Sequence, residues 1–386
     1  MSAERRVDLL GRSRAEIADL LGPLLDRPFR ADQIYDGIYR QGAREFAEMT
    51  NLGKDLRGRL AEKFVIALPD LVDTSEAGDG TRKALFELHD GVTVESVDIP
   101  SRWGRTLCLS SQAGCALACR FCVTGYWGAG RNLSAGEIVG QVLGLTGNLP
   151  FGNERLNIVM MGMGEPLHNT ANVRAALELL AEAISWRHMT LSTVGVVDGI
   201  REMASWPRRP NLAVSLHAPD DARRDSIMPI NRSHPLDELF AVLAGYPLER
   251  GRKITFEYIL IRDFNDAPDD ARQLSRRLAG LAAKVNLIPI NPDPVLGPEM
   301  VPPSRERVER FTAALRARGV TTTVRRRRGD AVSAACGQLR APGRRPRGLR
   351  RSNLWVCGAR LVERGVPPRG PEGRGHVTPE RDRVPG

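Results

Sequence analysis

The chain has 386 residues, of which 42% are hydrophobic and 26% charged; this is ordinary globular composition, enough for one large domain with an appendage or for two domains. Its formal net charge of +10 is unevenly spread, because residues 340–386 hold twelve Arg and four acidic residues, +8, and leave about +2 for everything before them. The N-terminus, MSAERRVDLL, is charged from its fourth residue and has no apolar h-region, and no run reaches the roughly 18 apolar residues of a membrane span, so we expect a cytoplasmic protein with no membrane partner.

Residues 1–80 read as a small helical domain. SRAEIADLLGPLL and RADQIYDGIYRQG repeat apolar residues at three and four, and NLGKDLRGRLAEKF does the same. Residues 81–104 form a connector: KALFELHDGVTVESVDIP is two alternating segments around Asp90-Gly91, a hairpin signal. From residue 105 to 339 strands and helices alternate. RTLCLSS, LNIVMMG, HMTLST, NLAVSLH, KITFEYILI and KVNLIPI read as strands, and SAGEIVGQVLGL, NVRAALELLAEAI, PLDELFAVLAGY and DDARQLSRRLAG as helices between them. Six β/α units without a GxGxxG fingerprint predict an α/β fold, a partial (β/α)6 TIM-like barrel. VRRRRGD sets Arg325 to Arg328 at the end of a further apparent strand. Residues 340–386, rich in Arg, Pro and Gly and without apolar periodicity, read as a disordered basic tail, either merely solvated or a non-specific RNA-binding arm.

Such barrels place chemistry in the loops after the strands. The unusual residues fall there: Cys115 after the first strand, Gly164 and Glu165 after the second, Ser192 ending the third, His217 ending the fourth and Asn291 after the sixth. In GCALACRFC, Cys115, Cys119 and Cys122 form a C-x3-C-x2-C run with Phe121 before the last thiol. In a reducing cytosol clustered cysteines bind metal or react rather than form a disulfide framework. Three thiolates on a [4Fe-4S] cube leave one iron open for a ligand. A zinc site is the rival, but structural zinc wants four ligands and no second C-x2-C or H-x3-H pair appears, though Cys108 or a distant His could complete it.

C-x3-C-x2-C with an aromatic residue before the third Cys, at the end of a first barrel strand, resembles the radical S-adenosylmethionine (SAM) superfamily. Within it the chain is similar to the RlmN/Cfr family of RNA methyltransferases from about Phe29 to Leu339, through FRADQIYDGIYRQG, EMTNLGKDLR, VESVDIP, LCLSSQAGCALACRFC, RNLSAGEIVGQV, MGMGEPLHN, LSTVGVV, VSLHAP, NLIPINP and ACGQL. The resemblance implies a radical SAM barrel carrying a [4Fe-4S] cluster on Cys115, Cys119 and Cys122. It implies SAM bound by Gly164, Glu165, Ser192, Ser215, Leu216, His217 and Asn291. It implies methylation of adenine at carbon 2, at adenosine 2503 of 23S rRNA (as precursor, before full ribosome assembly) and adenosine 37 of certain tRNAs.

The same resemblance assigns three catalytic residues. Cys336 takes a methyl group from one SAM, Glu95 accepts the carbon 2 proton, and Cys108 attacks Cys336 to release the RNA and leave a transient disulfide. Without the family, Cys108 reads as a buried strand residue, Glu95 as a solvated carboxylate, Cys336 as a plain thiol and His217 as a core histidine. Cys357 has no counterpart. The resemblance further implies a flavodoxin or ferredoxin as electron donor, and we expect a monomer. The N-terminal domain and Arg325 to Arg328 are expected to contact RNA phosphates. The chain departs from the family in its 340–386 extension, which reads as lineage-specific or as a shifted reading frame, in Val194 where Ser is common, and in YWGAGRNL after the thiols. A Cfr-like enzyme methylating carbon 8, another radical SAM enzyme acting on a small molecule, and a non-enzymatic metal-bearing RNA-binding module remain alternatives.

Overall fold

The computed structural model of the protein describes residues 6–149, 155–325, 329, 333–334 and 337–339. Cys336, Arg326 to Arg328 and the 340–386 tail lie outside the described residues. Near the N-terminus, strands β1 (Val7–Asp8) and β2 (Phe64–Val65) pair in parallel around three helices, α1 (Arg14–Leu21), α2 (Phe29–Tyr39) and α3 (Lys54–Lys63). Helix α1 starts at a capping box: Ser13 Oγ accepts from Glu16 N–H, and the Glu16 carboxylate accepts from Ser13 N–H at 2.8 Å.

Strands β3 (Asp70–Glu76), β4 (Arg82–Glu87) and β5 (Thr93–Ser101) then form an antiparallel meander. The β4–β5 turn is built as Asp90-Gly91 predicts, with Gly91 at φ +76° and Leu88 N–H donating to the Val92 carbonyl at 2.7 Å. Strand β3 departs from the helical reading of residues 1–80. DLVDTSE is almost wholly exposed, so it has no buried face to impose an alternation, and its pairing with β4 makes it a strand.

Strand β6 (Gly104–Cys108) pairs antiparallel with β5 and opens a parallel run through β7 (Leu156–Met160), β8 (Met189–Thr193), β9 (Asn211–Ser215), β10 (Ile254–Leu260), β11 (Ala283–Pro289) and β12 (Thr321–Val324). The sheet order is β12-β11-β10-β9-β8-β7-β6-β5-β4-β3. Between the parallel strands lie α4 (Val123–Tyr126), α5 (Ala135–Thr146), α6 (Thr170–Leu180), α7 (Val197–Ala204), α8 (Asp221–Ile227), α9 (Leu236–Ala244), α10 (Pro268–Arg277) and α11 (Arg305–Arg316). The six expected β/α units run from β6 to α11, and β12 follows as a seventh parallel strand. Helices α7, α8 and α11 were not among the expected segments, yet parallel neighbours require a crossover.

The two faces of the parallel strands differ. Leu107, Ile158, Leu191, Leu212, Phe256 and Val285 are at most 1% exposed and belong to the main core. The alternate residues, among them Asn157, Ser192, Ser215, Glu257 and Asn286, are polar and make the opposite, lumenal face. Helix α5 joins the N-terminal region to the barrel through a glycine stripe. A Cβ on Gly136 would lie 2.5 Å from the Leu10 carbonyl oxygen, one on Gly140 2.3 Å from Pro69 and one on Gly144 2.4 Å from Phe86. One continuous core therefore runs from Leu9 through the meander to Leu339. Among the described residues no helix is long and apolar enough to cross a membrane.

Candidate active site

The loop after β6 is fixed before any ligand is considered. Gln141 on α5 accepts from Ser110 N–H at 2.8 Å and from Ser96 Oγ at 2.6 Å, and donates to the Ser110 carbonyl at 3.0 Å. Ser110 Oγ donates to the Glu95 carbonyl at 2.6 Å and accepts from Met163 N–H at 2.9 Å. Asn169 Nδ2 donates to the Ser111 and Leu133 carbonyls. The neighbouring loop of MGMGEP is pressed against this one. Gly164 sits at φ +93°, and a Cβ there would lie 2.4 Å from Gln112 Cβ, so only glycine fits.

The three thiols follow on that loop, Cys119 buried, Cys115 and Cys122 partly so. Cys115 N–H donates to the Gly128 carbonyl and Cys122 N–H to the Cys119 carbonyl. A second apolar cluster takes in Cys119, with Phe121, Val123, Ile227, Met228, Ile259 and Ile288 among its members and Cys122 packed against it. Burial pushes the Cys115 thiol up to about 12, a backbone hydrogen bond to Leu117 opposing, with Cys122 and Glu165 adding to the rise. Cys119 is pushed well above the usual thiol range by burial, then by Cys122 and Cys115, against the Arg224 cation. Cys115 thus feels Cys122, and Cys119 feels both of the others. Among the described residues no group of three or more His, Cys, Asp or Glu side chains is gathered as a single metal ion requires.

Glu165 is 2% exposed. Its Oε1 accepts from Leu167 N–H at 3.0 Å and its Oε2 from Val194 N–H at 2.9 Å, so the carboxylate bridges the loops after β7 and β8. Burial raises its pKa to about 7 against those hydrogen bonds. His217 lies just past β9 in a left-handed conformation, φ +61°. Its carbonyl accepts from Asn265 Nδ2 at 2.7 Å, its Nδ1 accepts from Ile259 N–H at 3.1 Å, and its ring meets Phe121 edge-on at 4.5 Å. Burial, then Arg224, holds it near 3, as a neutral imidazole.

Register orders the rest. Ser192 on β8 stands beside Ala213, and Ser215, the last residue of β9, beside Glu257 on β10. Leu216 is fully buried and Asn291, two residues past β11, nearly so. Lys83, Val97, Cys108 and Val159 form one row across β4 to β7. Glu95, two residues from Val97, shares the face of Cys108 and reaches the level of Ser110, at the loop end of the sheet. It is 1% exposed, not solvated, and pairs with Lys83 Nζ at 2.9 Å. Cys336 lies outside the described residues. Its neighbours in sequence do not: Val123 N–H donates to the Gly337 carbonyl at 2.6 Å, Thr124 Oγ1 to the Leu339 carbonyl at 2.7 Å, and Gln338 Nε2 to the Pro292 carbonyl at 3.1 Å.

Two supporting residues escaped the sequence reading. Arg224 is fully buried. Its guanidinium donates to the carbonyls of Val194, Ser215 and Leu216 and to Asn231 Oδ1, tying the ends of β8 and β9 together beside Cys119. Burial lowers it to about 10. Lys83 was legible: a turn at Asp90-Gly91 sets Leu85 opposite Glu95, and Lys83 shares the face of Leu85.

A parallel-strand barrel with a three-thiol loop and a Gly-Glu turn at its mouth defines a radical SAM enzyme. The Radical SAM superfamily matches residues 109–274, and the ribosomal RNA large subunit methyltransferase N-terminal domain matches residues 7–66. The crystal structure of a radical SAM methyltransferase from Sphaerobacter thermophilus superposes with a TM-score of 0.81 at 42% identity, covering 87% of this chain and 99% of that one. The dual-specificity RNA methyltransferase RlmN of Anaeromyxobacter dehalogenans (strain 2CP-C) is 44% identical over 346 residues, 87% of this chain and 92% of the relative. That of Rhodospirillum rubrum is 46% identical over 353 residues, 88% and 82%. The chain belongs to the RlmN family of dual-specificity radical SAM RNA methyltransferases.

Membership implies an iron-sulfur cluster and SAM, and the residues fit both. The three thiols on one loop, Cys119 within an apolar cluster and Cys122 packed against it, are soft donors of the kind a cluster takes. A buried carboxylate at Glu165 and bare backbone at Gly164 are groups that would fit an ammonium and a carboxylate such as SAM carries.

Proposed function

We propose that this enzyme methylates carbon 2 of adenine, at adenosine 2503 of 23S rRNA and adenosine 37 of tRNAs, through an S-methylcysteine on Cys336 with two SAM per turnover. The observation that carries the reading is the common face and loop end shared by Cys108 and Glu95, with the Cys115–Cys122 loop at that same end. Adenine's carbon 2 lies between two electronegative nitrogens and will not attack a methyl sulfonium, so a polar transfer has to go to a thiolate first. When bound to Cys115, Cys119 and Cys122, a [4Fe-4S] cluster supplies the electron that cleaves SAM to a 5′-deoxyadenosyl radical. Glu165 holds SAM's ammonium, and Ser192, Ser215, Leu216, His217 and Asn291 hold the remainder.

Cys336, as a thiolate, takes the methyl of the first SAM, with S-adenosylhomocysteine as leaving group. That S-methyl group gives a hydrogen atom to the 5′-deoxyadenosyl radical, forming 5′-deoxyadenosine, and the resulting methylene joins carbon 2, leaving on the base one unpaired electron that would pass to a one-electron acceptor such as the cluster. Glu95 then accepts the proton from carbon 2. Cys108 attacks the Cys336 sulfur, the carbon-sulfur bond breaks, and the released carbon takes up a proton to become the new methyl. The Cys108–Cys336 disulfide must be reduced by two electrons before the next turnover. The bonds from Val123 and Thr124 to the carbonyls of Gly337 and Leu339, and from Gln338 to the carbonyl of Pro292, support the reading, since they tie the chain beside Cys336 to the chain beside Cys122 and Asn291.

The test is Cys108→Ala with an RNA fragment, SAM and a flavodoxin or ferredoxin reducing system. A covalent enzyme–RNA adduct should accumulate on denaturing gels, while the wild type yields 2-methyladenosine against chromatographic standards for carbon 2 and carbon 8. Free product at the wild-type rate from Cys108→Ala, or 8-methyladenosine from the wild type, would refute the assignment.

A further inference from the structure

A groove on the N-terminal region takes no part in the chemistry above. One wall is a single face of α3, where Lys54, Arg57, Gly58 and Ala61 recur at three and four; the rest is Arg6, the 44–47 turn and residues 64–66. Its volume, about 440 Å³, lies in the range of small-molecule sites. The floor is apolar, with Phe46, Phe64 and Ile66 all buried. Four cations, Arg6, Arg44, Lys54 and Arg57, stand around it against one acid, Glu45. None of the four makes a salt bridge among the described residues, whereas Arg12, Arg14, Arg30, Arg40 and Arg59 of the same region each have a carboxylate partner. Gly58 is the third feature. Glycine is a poor choice inside a helix, yet here a Cβ would meet nothing within 4 Å, so there is open space beside this lining position for a long side chain to reach over the groove.

We propose that this groove holds one unpaired nucleotide of the substrate RNA, distinct from the reacting adenine, with its base over Phe46 and Phe64 and its phosphates on the four cations. Unpaired bases dock on apolar and aromatic surfaces without regard to sequence, and flanking cations track the backbone. That combination matches an apolar floor bordered by four cations without a carboxylate partner among the described residues, two of which, Arg6 and Arg57, donate to the Ala61 and Ala47 carbonyls. The proposal rests on the reading of RNA as substrate.

The test uses the full chain and a fluorescein-labelled RNA stem-loop carrying an unpaired adenosine, with binding followed by anisotropy over a salt series and methyl transfer measured on the same RNA. Arg44→Ala with Lys54→Ala should flatten the slope of log affinity against log salt by about 1.4, two contacts at about 0.7 each. Gly58→Leu should weaken binding about tenfold with the slope unchanged and the thermal midpoint retained. Gly58→Ala, too small to fill the groove, should bind as the wild type does. If both larger changes bind as the wild type while methyl transfer proceeds, the groove assignment falls and the proposed function stands. If they weaken binding but the wild type transfers no methyl, the groove stands and the function falls. A wild type that binds anionic phospholipid vesicles and no RNA overturns both.

Discussion

Burial of Glu165 favours the neutral acid, and this pulls against its proposed role, which is to present negative charge to SAM's ammonium. Glu165→Gln removes the charge and leaves one acceptor oxygen where the carboxylate has two, so one of the hydrogen bonds from Leu167 N–H and Val194 N–H is lost. SAM affinity should fall ten- to a hundredfold, the equivalent of a charge-assisted hydrogen bond of about 1.5–3 kcal/mol, and the thermal midpoint of the SAM-free protein should fall with the lost bond; equilibrium dialysis reads the first and calorimetry the second. His217 gives a pH prediction. Its folded pKa, near 3, lies below the ordinary 6.5, so its contribution is present above pH 6.5 and is lost as pH falls toward 3. The SAM-free wild type should therefore lose more thermal stability between pH 7 and pH 5 than His217→Gln, and equal losses would reject the assignment. Both residues were legible as polar groups at strand ends. Arg224 was not, because its role comes from carbonyls of residues 194, 215 and 216, which no side-chain pattern records.

At the scale of elements, the pairing of β4 with β5 turns a turn signal into a site. Counting outward from Asp90-Gly91 gives the register, and the register delivers Lys83 to Glu95 and Cys108 to the same face. Removing one member of a buried ion pair strands the other charge. Lys83→Met should cost about 3–5 kcal/mol, and adding Glu95→Gln should recover most of it; a double variant no more stable than Lys83→Met in denaturant titration would show that the pair is not the cause. The strands of the barrel were readable because one face of each is buried against helices. Strand β3 was not, since neither of its faces is. Helices α7 and α8 are short, and α8 is mostly polar, so they follow from the need to cross between parallel strands more than from their own sequence.

Across the whole molecule the charge separates from the chemistry. The catalytic barrel and N-terminal region are nearly neutral in sum, and most of the +10 lies in residues 340–386, past the last residue that the mechanism uses. Ending the chain after Arg340 should leave methyl transfer to an RNA fragment intact, and a loss beyond tenfold, about 1.4 kcal/mol in the barrier, would show that the tail participates. The measurement that tests the central claim most directly is mass spectrometry of the peptide holding Cys336, on anaerobically reconstituted protein, before and after incubation with SAM, reductant and an rRNA fragment. The account predicts a methyl on Cys336 whose carbon passes to 2-methyladenosine in the RNA. An unmodified Cys336 in protein that still cleaves SAM would contradict it.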